Sequence, residues 1–287
     1  MRISKNELLI LIVLAMGLVL SFFALNSHAQ SDGLLHVYFL NVGQGDAELI
    51  QTPDNKQILI DGGPGSTILE RLGEVMPFND RSIDMLILTH PHADHVAGLI
   101  EVLKRYDVDQ IIESYLPYDT AEYAEWNSLK NEAEVTQAQA GQIVDLGNEA
   151  KITILHPYGS APKGSRVKNP HDYVVVIRLD YGNESVMLTG DIEDEVEAEL
   201  IINGASLSAQ FLKVGHHGSK TSTSTKFLNA VNPQIAFIEV GANNRYGHPH
   251  PTIIERLENF GIKYYRTDRD GSSDLQLDGQ NYLIRSF

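Results

Sequence analysis

The sequence predicts an α/β fold of sheets covered by helices, on three observations. Strand-like runs and helix-like periodicities alternate through both halves of the chain. No linker or low-complexity tract divides it. At 287 residues, 43% of them hydrophobic, it is long enough to bury one sizeable core.

Taken in order, the chain opens with Arg2 and Lys5 ahead of an apolar stretch at residues 8–25. Ser27-His28-Ala29 then places small residues where a signal peptidase inspects them. Residues 1–29 are therefore expected to be an export signal cleaved before Gln30. The alternative is a retained N-terminal membrane anchor, since the stretch approaches the roughly 18–20 residues that span a bilayer. Either reading puts the domain at 34–287 outside the cytoplasm, secreted or held at the membrane through residues 8–25.

From residue 34, β-type runs at 34–40, 47–51 and 57–60 are separated by turn chemistry, Gly43-Gln44-Gly45-Asp46 and Pro53-Asp54-Asn55. A helical pattern at 67–75 leads to the apolar strand Met85-Leu86-Ile87-Leu88 and a helix over 96–105. Residues 115–141 read as an insertion with one helix at 120–139, and its Tyr115, Tyr118, Tyr123 and Trp126 are expected to serve local packing rather than a substrate lid. The second half supplies strands at 151–155, 173–179, 185–189, 211–214, 235–240, 263–266 and 274–277. Helices are expected there at 193–203, 223–230 and 252–260.

The chemistry concentrates in Thr89-His90-Pro91-His92-Ala93-Asp94-His95. Four potential ligands fall within six residues where a strand ends and a helix begins. Three imidazoles and a carboxylate suit zinc or another first-row divalent ion. The chain has no cysteine, so thiolate ligands and disulfides are excluded. Lys and Arg number 22 against 38 Asp and Glu, a formal charge of −16, which argues against broad attraction to a nucleic-acid backbone and leaves a local basic groove open.

Four more strands end in similar groups. Asp61-Gly62-Gly63 follows 57–60, Thr189-Gly190-Asp191 follows 185–188, His216-His217-Gly218-Ser219 follows 211–214, and Tyr246-Gly247-His248-Pro249-His250 follows 235–240. Each alone is an ordinary turn or helix cap. Five strands ending this way can bring distant ligands into one cleft.

These strings, together with Asn41-Val42-Gly43-Gln44-Gly45-Asp46, Lys213-Val214-Gly215 and Arg266-Thr267-Asp268, resemble the metallo-β-lactamase fold superfamily. The likeness is to the extracytoplasmic hydrolase domain of ComEC-type competence proteins, from about residue 34 to the C-terminus. It implies a four-layer αββα sandwich with a binuclear metal centre at one edge, loaded with zinc or manganese. The many-helix channel of a full competence protein has no counterpart here, so DNA uptake does not carry over.

The resemblance assigns His90 and His92 to the first metal, Asp94 and His95 to the second, Asp191 as the bridge and His248 as the ligand completing the second site. Other members supply a third histidine to the first metal shortly before the bridging Asp. His171, in Asn169-Pro170-His171-Asp172, lies at about that spacing and is either that ligand or a turn histidine. A hydroxide shared by two such ions is a nucleophile at neutral pH. Asp61 and Asp94 join the catalytic set, Asp61 by orienting an imidazole or the water. One of His216 and His217 is expected to contact a phosphate oxygen or protonate the leaving group, with Ser219 and the Gly218 N–H as substrate donors and the other histidine packing.

The expected function is that of an exported metal-dependent hydrolase of phosphodiesters, a nuclease or an esterase on a phosphorylated, teichoic-acid-like envelope polymer. The alternatives are hydrolysis of C–N or thioester bonds, as in lactamases and glyoxalase-type members, and a non-catalytic binding protein that keeps the fold. A scaffold needs none of these ligands, and buried unpaired carboxylates are costly. No protein partner is inferred.

Overall fold

Three short antiparallel strands, β1 (Leu35–Phe39), β2 (Glu48–Gln51) and β3 (Gln57–Ile60), begin the domain. After β3 the chain turns to parallel pairing, which needs a crossover for every strand. Helix α1 (Thr67–Val75) leads to β4 (Ser82–Leu88), α2 (Ala93–Leu103) to β5 (Asp107–Glu113), and α3 (Ala121–Leu129) to β6 (Glu134–Gln137). This computed structural model describes residues 6, 10–17, 32–160, 167 and 169–287. Residues 10–17 are helical, the signal exit Ser27-His28-Ala29 lies outside the described residues, and no described helix is long and apolar enough to cross a membrane.

The second half repeats this plan. Strands β7 (Ile143–Gly147), β8 (Ala150–His156), β9 (Val176–Tyr181) and β10 (Glu184–Leu188) are antiparallel. Helices α4 (Asp194–Ile202), α5 (Thr225–Val231) and α6 (Pro251–Asn259) then add β11 (Phe211–Lys213), β12 (Ile235–Ile238) and β13 (Lys263–Arg266) in parallel. A last hairpin, β14 (Ser273–Leu277) and β15 (Tyr282–Ser286), returns to pair with β1. The sheets run β15-β14-β1-β2-β3-β4-β5-β6 and β13-β12-β11-β10-β9-β8-β7.

Alternation along the strands makes the layers. Val37, Phe39, Ile58, Ile60 and Ile87 of the first sheet meet Ile152, Ile177, Val186, Phe211 and Phe237 of the second. Phe39 and Phe237 stack with centroids 3.9 Å apart. The opposite faces carry Leu49, Leu59 and Leu86 beneath α1 to α3, and Met187, Leu212 and Ala236 beneath α4 to α6. The result is an αββα sandwich.

One expected element is corrected. The helix foreseen at 120–139 stops at Leu129, a 3-10 turn spans Lys130–Glu132, and β6 then pairs parallel to β5 as the edge of the first sheet. The β-branched pair Val135-Thr136 suits this strand better than a helix. The stretch at 115–141 is therefore part of the sandwich rather than an appendage. Trp126 is buried, its indole N–H donating to Glu113 at 2.7 Å, and Tyr123 is buried beside it. Tyr118 instead lies edge-on to His92, at 5.7 Å.

Candidate metal centre

The parallel course of β3 and β4, and of β10, β11 and β12, sends the loops after them to one edge of the sandwich. His92 caps α2, so Asp94 and His95 fall in its first turn. The turn Asp61-Gly62-Gly63 packs against that turn backbone to backbone. Gly62 N–H donates to the His95 carbonyl and Gly98 N–H to the Gly63 carbonyl, both at 2.9 Å. A Cβ on Gly98 would lie 1.7 Å from Gly62 O, so no side chain fits there. This contact sets Asp61 behind His95. Its carboxylate accepts from Thr89 N–H at 2.8 Å, the Thr89 hydroxyl at 2.5 Å and His95 Nδ1 at 2.7 Å.

A second carboxylate–imidazole pair forms from the other sheet. His217 Nδ1 donates to the Glu239 carbonyl at 2.9 Å and lies 3.1 Å from Asp46 Oδ1. His216 and His217 both take left-handed backbone, φ 47° and 53°, which presents the two imidazoles differently although they are adjacent in sequence. His171 Nδ1 donates to the Asp191 carbonyl at 2.7 Å. His90 Nε2 and His92 Nδ1 approach to 2.9 Å.

The donors form overlapping groups, one of which joins His171, Asp191 and His216. The ligand atoms of His90, His92 and His171 lie within 4.8 Å of one another, as do those of Asp94, His95 and His217. Asp191 Oδ2 stands between them, 4.0 Å from His90 Nε2, 3.2 Å from His95 Nε2 and 3.4 Å from His217 Nε2. His95 Nε2, His217 Nε2 and Asp191 Oδ1 are buried without a hydrogen-bond partner among the described residues. Such atoms are costly unless something else satisfies them. All the donors are nitrogen or oxygen, so the set fits divalent ions of the zinc or manganese kind.

Electrostatics divide the groups. Burial and the neighbouring His95 hold His90 well below its usual value, and burial with His171 brings His92 down to about 4. Burial also opposes charge on His95 and His217, but the carboxylates outweigh it, Asp191 and Asp61 for the first, Asp191 and Asp46 for the second. Both are raised well above the ordinary range. The two imidazoles in turn hold Asp191 far below its usual range against the effect of its burial.

Two expectations are revised. His217 stands beside Asp94 and His95, its Nε2 3.5 Å from Asp94 Oδ2, where the sequence reading put His248. His248 instead lines the cavity above, stacked on Tyr246 at 5.7 Å and edge-on to His216 at 5.7 Å. Ser219 is not at the cavity, because its hydroxyl is engaged with Thr221 at 2.9 Å and its N–H with the His216 carbonyl at 2.8 Å. His216, 22% exposed, does line the cavity, with Nε2 3.8 Å from Asp191 Oδ2 and Nδ1 3.3 Å from Glu193 Oε1. The cavity encloses about 300 Å³ and is also lined by Gln44, His92, Asp94, His171, Asp191 and His217.

The sequence reading passed over a buried charge network behind the centre. Lys213 is fully buried, pairs closely with Asp46 and donates to the Gly190 carbonyl at 3.1 Å. Asp46 and Asp191 keep its ammonium charged despite burial. Glu239, buried beside Asp46, is pushed up to about 8 by burial and by that negative charge. The signal was present in the sequence as a lysine at the end of one apolar strand and a glutamate just after another.

Comparison with known proteins bears on the family and the fold. Residues 40–240 match the Metallo-beta-lactamase superfamily. The chain is 30% identical over 255 residues to ComE operon protein 3 of Bacillus subtilis, covering 82% of this chain and 32% of that protein. It is 32% identical over 272 residues to Recombination protein 2 of Haemophilus influenzae, covering 89% and 31%. It thus spans about a third of the length of these relatives. Among solved structures, Igni18, a metallo hydrolase from Ignicoccus hospitalis, shares the fold with a TM-score of 0.53 at 15% identity, covering 88% of this chain and 99% of that one.

Proposed function

The chain belongs to the metallo-β-lactamase superfamily, as a metal-dependent hydrolase, and from that premise we propose that it hydrolyses phosphodiesters outside the cytoplasm. The observation that carries the reading is the approach of His90, His92 and His171 on one side and of Asp94, His95 and His217 on the other to Asp191, beside a cavity also lined by His216 and His248. His90, His92 and His171 would hold one divalent ion and Asp94, His95 and His217 the other, with Asp191 between them. Two such ions, when bound, supply Lewis acidity and a water acidic enough to attack near neutral pH.

The protein's own groups do the rest. Asp61 holds Nδ1 of His95 and the Glu239 carbonyl, with Asp46 3.1 Å away, holds Nδ1 of His217, so both rings present Nε2 to the centre. His216 is the candidate donor to the departing oxygen. Glu193 Oε1 sits 3.3 Å from its Nδ1 and is itself held by the Thr221 hydroxyl at 2.6 Å.

A relative matched over 74 residues carries the name Exodeoxyribonuclease YycJ, which favours a nucleic-acid strand over an envelope polymer as substrate. Export through residues 1–29, by cleavage or as an anchor, belongs to the same proposal. Purified protein loaded with zinc or manganese should turn over bis-p-nitrophenyl phosphate and single-stranded DNA, with phosphorylcholine esters as the competing polymer-type substrate. Turnover of a cephalosporin without any phosphodiester would overturn the reading.

A further inference from the structure

The loop Asn41-Val42-Gly43-Gln44-Gly45-Asp46 gives the centre only its last residue, yet Gln44 lines the cavity together with Asp94, Asp191 and His217. The Gln44 side-chain carbonyl accepts from Gly241 N–H at 3.1 Å. A backbone N–H can only donate, so this bond settles which end of the amide faces Gly241 and leaves the NH2 as the other end. That nitrogen, Nε2, is buried and has no hydrogen-bond partner among the described residues.

The loop is clamped on both sides. A Cβ on Gly45, at φ 152°, would lie 2.3 Å from the Asp94 carbonyl oxygen, and one on Gly241 would lie 2.6 Å from Gln44 N. Backbone thus meets backbone at the first turn of α2 and again after β12. A polar donor held this rigidly beside two ligand groups is preorganised for charge that develops only during reaction.

We propose that Gln44 Nε2 donates a hydrogen bond to a non-bridging oxygen of the scissile phosphate as negative charge gathers there in the transition state. This rests on the phosphodiester reading above. In that step a water oxygen gives up a proton as it bonds to phosphorus, the bond from phosphorus to the leaving ester oxygen breaks, and that oxygen takes up a proton, so none is gained or lost overall. Gln44 gives up neither proton nor electron and acts by its N–H dipole alone.

The test uses Gln44→Glu, which keeps the acceptor to Gly241 and removes the donor, and Gln44→Met, which keeps length and removes both. Metal content, thermal unfolding, kcat and KM on bis-p-nitrophenyl phosphate, and the Kd of inorganic phosphate by calorimetry are measured for both variants and the parent. Two ions per chain should remain, and kcat should fall about 10²–10³-fold, as when one oxyanion donor is removed, with KM little changed. Unchanged kcat overturns the proposal, as does loss of a metal, which would make Gln44 a support of the centre. If the parent hydrolyses no phosphodiester, the functional reading fails and phosphate binding decides for Gln44. Binding weakened about tenfold or more in Gln44→Met then upholds a donor to a tetrahedral anion, and equal or absent binding in both proteins overturns it. Should Gln44→Glu not fold, Gln44→Met carries the same comparison.

Discussion

Lys213→Met tests how the two sheets are tied behind the metal centre. Lys213 ends β11 in the second sheet, and Asp46 lies in the loop between β1 and β2 of the first, so their ion pair crosses the sandwich where neither residue meets water. Methionine is a straight chain and leaves little void, so the loss is chiefly that of the charge. Removing one member of a buried pair strands the other, at about 3–5 kcal/mol. That is a large part of the roughly 5–15 kcal/mol that holds a folded domain. At about 2–4 °C per kcal/mol for a domain of this size, the melting temperature of the metal-free protein should drop by about 6–20 °C. Thermal unfolding followed by circular dichroism in chelator gives the number. The double variant Asp46→Asn/Lys213→Met removes both charges and should recover part of the loss, giving a coupling energy from the cycle. A single variant within about 1 kcal/mol of the parent, the range of solvent-exposed pairs, or a double variant that simply adds the two losses, would refute the reasoning.

Three further outcomes follow from the centre. Gly98→Ala drives a methyl into Gly62 O and should cost at least the upper end of about 1–3 kcal/mol, with weaker metal binding as Asp61 is pushed from His95. Gly73→Ala in α1, where a methyl meets nothing within 4 Å, is the control that should not destabilise. Because His95 and His217 are raised well above their usual values while His92 sits near 4, loading the metal-free protein at pH 7 should release about two protons, both from the Asp94 group. Affinity there should climb with pH, and the fold stabilisation from these two charged imidazoles, full below about pH 6.5, should fade as pH rises through their folded values. Calorimetry in buffers of different ionisation heat counts the protons, and none released would contradict the assignment. His217→Ala should lose one ion per chain while His248→Ala keeps both and loses activity; elemental analysis giving the reverse would restore His248 as the ligand.

What the sequence made legible was local. His90, His92, Asp94 and His95 stand within one strand-to-helix junction, and their spacing alone brings them together. Choosing between His217 and His248 was not legible, since it depends on the left-handed backbone at His216 and His217, which spacing does not encode. The missed strands share a physical cause. β6, β7 and β15 lie at or near sheet edges with exposed faces, so alternation is lost, and β5 opens with Asp107, Asp109 and Gln110, residues that strands adopt only when a neighbour such as β4 imposes it. Lys213 and Asp46 could be suspected from the sequence but not paired, because one ends a strand of the second sheet and the other sits in a loop of the first.

The C-terminal hairpin gives the fold an order of assembly. Leu35 in β1 faces Leu277 in β14, so the first strand made waits for nearly the last before both its edges are paired. Closing so long a loop is slow, because its entropy must be lost before so distant a contact forms. His90 to His95 reach solution long before Asp191 and His217 exist to face them. An ion met at that stage would find only His90, His92, Asp94 and His95 of the two donor triads beside Asp191 in the folded domain.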